Sequence, residues 1–326
     1  MSRSWRKQLA LERTRVTPEL TSAIREVIGD ENVLVDEPMS RHTTYRIGGP
    51  ADLMLKLGTP DHLAHVQPLL REAQVPLFVL GAGSNILVRD GGIRGVVLKL
   101  GTGFDFLELT HDGDNDQVSI GAATSIGKLI KAAKINGWSA LAPVAGTPGT
   151  IGGALRMNAG DRRVWISQWV TGVDLVLADG SSKKVNKAAL KYGYRSSKIP
   201  TGSVVTAGHF LFERGDADEA RLAIENHIGH RKETQPLNLP SGGSVFRNPD
   251  HFAAGELIER AGLKGVRLQD AQISDLHANF IVNLGQASAS DVIALMRMAK
   301  QKVAEETGVK LEEELRIVGD EATDDE

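Results

Sequence analysis

The apolar run Val75-Pro76-Leu77-Phe78-Val79-Leu80 ends in Gly81-Ala82-Gly83-Ser84-Asn85, and the residues after this turn limit the folds open to the chain. A dinucleotide-binding βαβ unit needs a third glycine and a helix whose N-terminus faces the pyrophosphate. Position 86 is Ile, and the chain continues as ILV, a turn-like RDGG and then VVLKL, which reads as another strand rather than an amphipathic helix. Strand, glycine turn, strand rules out the Rossmann fingerprint here. A nucleotide-binding loop stays open, because small residues let consecutive N–H groups point into one anion-holding concavity. Taken alone, the stretch reads first as a plain tight turn between strands.

With 326 residues the chain is long enough for two or three domains and a substantial core. Its apolar fraction of 41% and charged fraction of 24% are those of a soluble globular protein. A net charge of -3 gives no general case for nucleic acid or membrane, and 5% aromatic residues offer few stacking platforms. The absence of cysteine excludes disulfides, thiolate catalysis and cysteine-ligated metal, and suits a reducing compartment. No apolar run reaches transmembrane length, and MSRSWRKQLALERTR lacks a signal-peptide core, so a cytoplasmic protein is expected. A basic N-terminal arm (1–16) and an acidic tail (320–326) are expected as solvated ends.

Thr17, Pro18 and a closing Gly29 predict a first helix, and Thr59-Pro60-Asp61 predicts a second, with Leu63, Val66, Leu69 and Leu70 on one face. DLMLKL, PLFVL, NILV and VVLKL read as strands, completing an α+β unit over 17–100. From 101 to 228 the pattern is QVSIGAA, VTGVDLVLA and SVVTAGHFLF as strands, with one helix from Ser125 to Asn136. Asp216–Gly229 reads as helical. A third unit, 229–309, holds helices at Ala254–Ala261 and Ala289–Glu306 and a strand in NFIVNLG. KLEEELRIVG is expected as a terminal strand, 310–319, joining the first unit.

Four groups of residues could carry chemistry. Gly146-Thr147-Pro148-Gly149-Thr150-Ile151-Gly152-Gly153 is a second glycine-rich stretch, in which backbone N–H groups and hydroxyls can meet a phosphate closely. Tyr192-Gly193-Tyr194-Arg195-Ser196-Ser197 sets a guanidinium where it can clamp a carboxylate or stabilise charge developing on one; a surface ion pair is the plainer reading. Ser244 follows two glycines without a G-x-S-x-G elbow, so it is either a turn residue or a proton donor oriented by its neighbours. Glu312, Glu313 and Glu314 would alternate on a strand, putting Glu312 and Glu314 on one face as a charged edge or as site carboxylates. The nine histidines show no ligand spacing, so no metal site is expected.

The order TTYRIGGPAD, VLGAGSNILV, GTPGTIGGALRMNAG, YGYRSS, GSVFRNP, AGELIERAGLKG, HANFIVN and LEEELRIVG closely resembles the UDP-N-acetylmuramate dehydrogenase family, also called UDP-N-acetylenolpyruvoylglucosamine reductases, from about residue 38 to 319. HANFIVN is similar to the type II form. The resemblance implies a three-domain flavoprotein. Its first two domains, of the vanillyl-alcohol-oxidase-like fold, would hold FAD without a covalent tether, and the third would close over the sugar nucleotide. Tyr45, Arg46, Ile47 and Gly48, then Gly81, Ala82, Gly83, Ser84 and Asn85, then Gly146, Thr147, Pro148, Gly149, Thr150, Gly152 and Gly153 would surround the cofactor.

The resemblance further implies that NADPH is the cosubstrate and that UDP-N-acetylglucosamine enolpyruvate becomes UDP-N-acetylmuramate, in peptidoglycan precursor synthesis and hence cell-wall biogenesis, cell shape and division. Arg195 and Glu314 would stabilise charge at the substrate carboxylate and Ser244 would protonate the carbanion; Tyr194, Arg247, Asn248, His277 and Asn279 would orient substrate. A monomer is expected. Two stretches depart from the family pattern: Asp161-Arg162-Arg163-Val164-Trp165 after MNAG, and Leu268-Gln269-Asp270-Ala271 where a GGA is usual. The alternatives are another FAD-dependent oxidase or dehydrogenase of the same fold, or a non-catalytic nucleotide binder.

Overall fold

The structure is a computed structural model and describes residues 16–160 and 164–322. The arm before Val16, the departure at Asp161-Arg162-Arg163 and residues 323–326 of the acidic tail lie outside the described residues.

Helix α1 (Pro18–Ile28) starts where Thr17 accepts the Leu20 N–H and stops at Gly29, whose φ of 83° a side chain would oppose. Strands β1 (Val33–Pro38) and β2 (Pro50–Leu57) lead to α2 (Pro60–Glu72), again capped by a threonine, Thr59. Then come β3 (Leu77–Leu80), β4 (Ile86–Val88), β5 (Ile93–Leu100), β6 (Leu107–Asp112) and β7 (Asn115–Gly121). Helix α3 (Ile126–Asn136) runs from Ser125 to a left-handed Gly137, and α4 (Ile151–Met157) from Thr150 to a left-handed Asn158. Strands β8 (Val170–Val176) and β9 (Ser182–Asn186), the single turn α5 (Lys187–Leu190), β10 (Val204–Glu213) and α6 (Ala217–Thr234) come next. The last part holds α7 (Ala254–Arg260), β11 (Arg267–Leu268), β12 (Ala271–Ile273), β13 (Ile281–Asn283), α8 (Ala289–Thr307) and β14 (Arg316–Val318). The fold is α+β, as expected.

The chain forms two compact units. One gathers the described residues up to Glu37 with Asp52–Gly81 and Arg94–Ile228. The other gathers Pro38–Ala51, Ala82–Ile93 and the described residues from Gly229. In the first, a four-stranded sheet of order β1-β2-β5-β3 buries Leu53, Leu55, Val96 and Leu98 against Ile24, Leu63 and Val66 of its helices. An antiparallel sheet of order β6-β7-β10-β8-β9 buries Val118, Ile120, Phe210 and Phe212 beside α3 and α4, and Trp138 stacks on Phe212 at 4.6 Å. At the edge of that core a fully buried carboxylate, Asp116, accepts hydrogen bonds from Trp138 Nε1 (2.8 Å) and His111 Nδ1 (2.7 Å).

In the second unit, β11, β12 and β13 form one small sheet, and β14 lies parallel to β4, with Arg316 opposite Ile86. Its core is built from Tyr45, Leu87, Val245, Phe246, Leu257 and the apolar face of α8. Asp90 joins the segment before β5 to that helix by accepting the Ala289 and Ser290 N–H groups, at 2.8 and 3.0 Å, at the positive end of the helix dipole.

Four expectations about local structure change. KLEEELRIVG forms a strand only over 316–318, because the Glu314 and Leu315 N–H groups both donate to the Val245 carbonyl and take Glu312–Glu314 out of any ladder. NFIVNLG shortens to 281–283, where the Asn283 side chain accepts the Gly285 and Ala287 N–H groups and turns the chain. The helix expected to stop at Gly229 continues to Thr234, ending before Pro236, the first residue there that disfavours helix. Ile151–Met157, expected within a loop, is helical: Thr150 caps it and buried Ile151, Ala154 and Leu155 hold one side, which outweighs two glycines.

Candidate functional site

The first unit contains Gly81 of the first expected glycine stretch and the whole of the second. A Cβ on Gly81 would lie 2.7 Å from Thr150 Oγ1, so the end of β3 and the start of α4 approach as closely as glycine allows. Thr150 Oγ1 itself accepts the Gly153 N–H at 3.3 Å, and the Ile151 and Gly152 N–H groups donate to Thr124 and Ala122 carbonyls at 2.9 Å. The Gly152 and Gly153 amides, expected to face a phosphate, are therefore spent inside the fold, as is that of Ile151. What the helix start offers a ligand is backbone approach: a Cβ on Gly153 would meet only Thr150 Oγ1, at 3.5 Å, within 4 Å. Gly146, Thr147, Pro148 and Gly149 line a cavity of about 520 Å³ together with Lys131 and Lys134 of α3. Small residues, the Thr147 hydroxyl and Lys131 in one place fit a cofactor carrying phosphates, while Lys134 is paired with Glu225 at 2.9 Å.

Arg195 stands on a tight turn mounted at the far end of the same helix. Gly193 and Ser196 exchange backbone hydrogen bonds around it, and Arg195 takes a left-handed φ of 49°. Asn158, the left-handed cap of α4, donates Nδ2 to the Gly193 carbonyl at 2.9 Å, and Ser197 Oγ donates to the Arg156 carbonyl at 2.8 Å. The Arg195 guanidinium carbon is 5.8 Å from the centroid of the exposed Tyr194 ring.

The second unit brings Asn85, Ser244 and Glu314 together. Asn85 Nδ2 donates to the Glu314 carbonyl at 3.4 Å, and the Asn85 carbonyl accepts the Arg316 N–H at 3.1 Å. Glu314 N–H donates to the carbonyl of Val245, the residue after Ser244, at 2.8 Å. Gly243, at a left-handed φ of 78°, has Ser84 as its nearest neighbour, the carbonyl 3.9 Å from a built Cβ. Among the described residues none hydrogen-bonds the half-buried Ser244 hydroxyl.

Gly242, the first glycine of the pair, is set by packing. A Cβ there would stand 2.5 Å from Leu315 Cδ1 and 2.7 Å from the Tyr45 ring. Gly83, left-handed at φ 65°, packs on the backbone of His42 and Thr43, which seats Ala82 and Ser84 on the TTYRIGG segment.

Tyr45 is placed differently from the expectation. Its side chain is fully buried, its hydroxyl donates to the Ile281 carbonyl at 2.8 Å, and burial pushes the phenol well above its ordinary range. Its side chain belongs to the core and is not available to a ligand. Ile47 is buried too, whereas Arg46 is exposed in a left-handed conformation, φ 56°, ahead of Gly48 at φ 136°.

Asn279 is also turned inward. Only 3% exposed, it accepts the Phe246 N–H on Oδ1 at 2.9 Å and donates Nδ2 to the Phe246 carbonyl at 2.8 Å. Asn248 Oδ1 accepts the Ala254 N–H at the start of α7, and Arg247 N–H donates to the Glu312 carbonyl. His277 packs edge-on against Phe280, and its Nδ1 accepts the Asn279 N–H at 3.2 Å; burial, assisted by the nearby Lys264 charge, holds its pKa below the ordinary value. The departure at Gln269-Asp270 is a self-supporting two-residue turn: Gln269 is left-handed and Asp270 pairs with Arg267 and accepts the Gln286 N–H.

Sequence reasoning passed over Thr44, Asn158 and Asn283 as supports. Thr44 Oγ1 donates to the Ser241 carbonyl at 2.7 Å and Asn283 Nδ2 to the Tyr45 carbonyl at 3.0 Å. Their partners are distant in sequence. Asn158, after a helix and before Ala-Gly, carried a local cap signal. Among the described residues no helix is long and apolar enough to cross a membrane, and no three His, Asp or Glu side chains gather to hold a metal.

An FAD-binding domain model matches residues 51–186, spanning both glycine stretches. With the small-residue cavity of Gly146–Gly149 ahead of α4, this defines a flavoprotein and an oxidoreductase. The C-terminal domain model of UDP-N-acetylenolpyruvoylglucosamine reductase matches residues 235–318. The UDP-N-acetylenolpyruvoylglucosamine reductase of Anaeromyxobacter sp. (strain Fw109-5) is 43% identical over 296 residues, covering 91% of each chain, and that of Myxococcus xanthus (strain DK1622) is 40% identical over 296 residues, covering 90% of this chain and 95% of its own. The crystal structure of the Thermus caldophilus reductase superposes with a TM-score of 0.73 at 35% identity, covering 87% of this chain and 97% of that one. The chain belongs to the UDP-N-acetylenolpyruvoylglucosamine reductase family.

Proposed function

We propose that the protein reduces UDP-N-acetylglucosamine enolpyruvate to UDP-N-acetylmuramate with NADPH, as a step in making peptidoglycan precursors. When bound, FAD would supply the two-electron chemistry that links the reduced nicotinamide to the enolpyruvyl group. The chain's own residues then handle charge and one proton at C2. The Arg195 guanidinium stabilises the negative charge that develops beside the carboxylate, with Glu314 as the second group of that pair, and Ser244 Oγ–H delivers the proton. A hydroxyl suffices as donor because its weak acidity matters less when the acceptor is a strongly basic carbanion. Tyr194, Arg247, Asn248 and His277 orient the substrate.

The observation that carries this reading is the meeting of Asn85, Ser244 and Glu314 on the two sides of Val245. A serine following two glycines and a carboxylate 70 residues later in the chain have no structural need of each other, yet one backbone hydrogen bond ties their segments. In this reading the protein has three functional domains, 17–100 with 310–319, 101–228 and 229–309, and acts as a cytoplasmic monomer.

The test is an anaerobic visible spectrum of the FAD-loaded protein. NADPH is expected to bleach the flavin band, and the enolpyruvyl UDP-sugar to restore it. Bleaching without return would remove this substrate from consideration; equal bleaching by NADH would remove the NADPH preference.

A further inference from the structure

Asn279 grips the backbone on the C-terminal side of Ser244 at three points. Its carbonyl accepts the Val245 N–H at 2.9 Å, its Oδ1 accepts the Phe246 N–H at 2.9 Å, and its Nδ2 donates to the Phe246 carbonyl at 2.8 Å. One residue thus does for Val245 and Phe246 what a neighbouring strand would do, although neither side belongs to a strand. The Val245 carbonyl is left for the other partner and accepts both the Glu314 and Leu315 N–H groups, at 2.8 and 3.2 Å. Val245 is therefore held at its N–H by Asn279 and at its C=O by Glu314. Asn279 is itself fixed, because its N–H donates to His277 Nδ1.

This saturation leaves Asn279 little to offer a substrate: it is buried, and both ends of its amide are in use. We infer that Asn279 is a positioning residue, which sets the Ser244 hydroxyl relative to Glu314 by fixing the Val245-Phe246 peptide between them. The inference rests on the proposed role of Ser244 and goes further by naming what aims it. A serine side chain has one rotatable bond to its oxygen, so an error in the backbone passes directly to the proton it must deliver. A displacement of about 1 Å in a reacting group costs on the order of 100-fold in rate.

The experiment separates the two half-reactions in FAD-loaded protein by anaerobic stopped flow, for wild type, Asn279→Asp, Asn279→Ala, Ser244→Ala and the Ser244→Ala/Asn279→Ala double variant. Asn279→Asp keeps an oxygen for the Phe246 N–H but loses the donor to the Phe246 carbonyl, so it carries the test if Asn279→Ala fails to fold. Flavin reduction by NADPH is expected to stay within about twofold of wild type, while reoxidation by the enolpyruvyl UDP-sugar falls on the order of 100-fold. The solvent deuterium isotope effect on reoxidation is expected to rise, as proton delivery becomes limiting. In the double variant the loss should be close to that of Ser244→Ala alone, because two residues acting through one proton are not additive.

Equal loss in both half-reactions, or losses that multiply in the double variant, would overturn the positioning role and leave Asn279 as a stability residue. Wild-type protein that is reduced but never reoxidised by this sugar would instead remove the proposed function, and the inference with it.

Discussion

Arg195 and Ser244 are presented by turns of opposite construction. The Arg195 turn is a surface one: Tyr194 is exposed, the arginine backbone is left-handed, and the turn hangs from α4 by the Asn158 and Ser197 bonds. The Ser244 turn is bound on every side, by Thr44 at Ser241, by the close fit of Gly242 on Leu315 and Tyr45, by Asn279 at Val245 and Phe246, and by Glu314 at the Val245 carbonyl. The contrast comes from the reach of each side chain. A guanidinium on a long flexible stem with several donors finds an anion from an approximate base. A hydroxyl one carbon from the backbone cannot, and its backbone has to be correct.

The largest effect is expected at the rigid turn. Ser244→Ala should lower the rate of flavin reoxidation by the enolpyruvyl sugar by about 10²–10⁴-fold, the usual span for a positioned proton donor, and leave reduction by NADPH unchanged. Comparable loss in both half-reactions would show that Ser244 supports the flavin site generally and does not donate the proton.

Arg195→Ala is expected next, at about 10²–10³-fold on the same step, with the fold intact because the turn is held by backbone and by Asn158. Arg195→Lys sharpens the comparison between the turns. If stem length and charge are what the exposed turn supplies, lysine should recover part of the loss, whereas Ser244→Thr at the bound turn should recover little. No difference between Arg195→Ala and Arg195→Lys would mean the paired donors of the guanidinium are essential and its placement is as exacting as that of Ser244.

Much of the frame was legible because its signals are local. Thr17-Pro18, Thr59-Pro60 and Ser125 with Gly137 each name a helix end within a few residues, and the structure starts or stops helices there. Arg195, Ser244 and Glu314 were singled out by the order of motifs and not by any one of them. Their supports escaped because each acts at a distance: Asn279 holds a peptide 33 residues away, and Thr44 one 197 residues away. Nothing in an asparagine followed by Phe says that its amide will pair with a remote backbone. The misreading at 151–157 has another cause. Counting glycines pointed to a loop, while a single capping threonine and three buried side chains were enough for two turns of helix.

Two glycines extend the comparison to stability. Gly242→Ala drives a methyl into Leu315 and the Tyr45 ring, and should destabilise the second unit by about 1–3 kcal/mol, read as a lower denaturation midpoint. Gly153→Ala lies in the first turn of α4, where the added methyl meets only Thr150 Oγ1 at an ordinary 3.5 Å. It should leave folding unchanged or strengthen it by about 0.5–1 kcal/mol, because alanine costs less than glycine to fix in a helix, while weakening FAD retention by filling the approach. Tight FAD binding by Gly153→Ala would show that the cofactor does not rest on this turn.

The smallest effect is a difference in how the units meet acid. In the second, buried His277 has its pKa depressed below the ordinary 6.5, so an unfolded chain binds a proton there that the folded one refuses. Its contribution to stability is complete above pH 6.5 and is lost as the pH falls from there through the folded value. In the first, burial works to raise Asp116, but hydrogen bonds from His111 and Trp138 and the charge of Arg214 outweigh it and hold the carboxyl below its ordinary 3.8. That contribution persists until the pH drops below about 4, then is lost as the carboxylate is protonated. Hydrogen exchange followed by region should therefore show β12 and β13 opening more readily as the pH is lowered from 7 to 5, after correction for intrinsic exchange, with β7 and β10 unchanged over that interval. His277→Gln, which removes the titration but keeps an acceptor near the Asn279 N–H, should flatten the response of the second unit alone. A response that survives this substitution would assign the acid sensitivity to another group and break the contrast between the units.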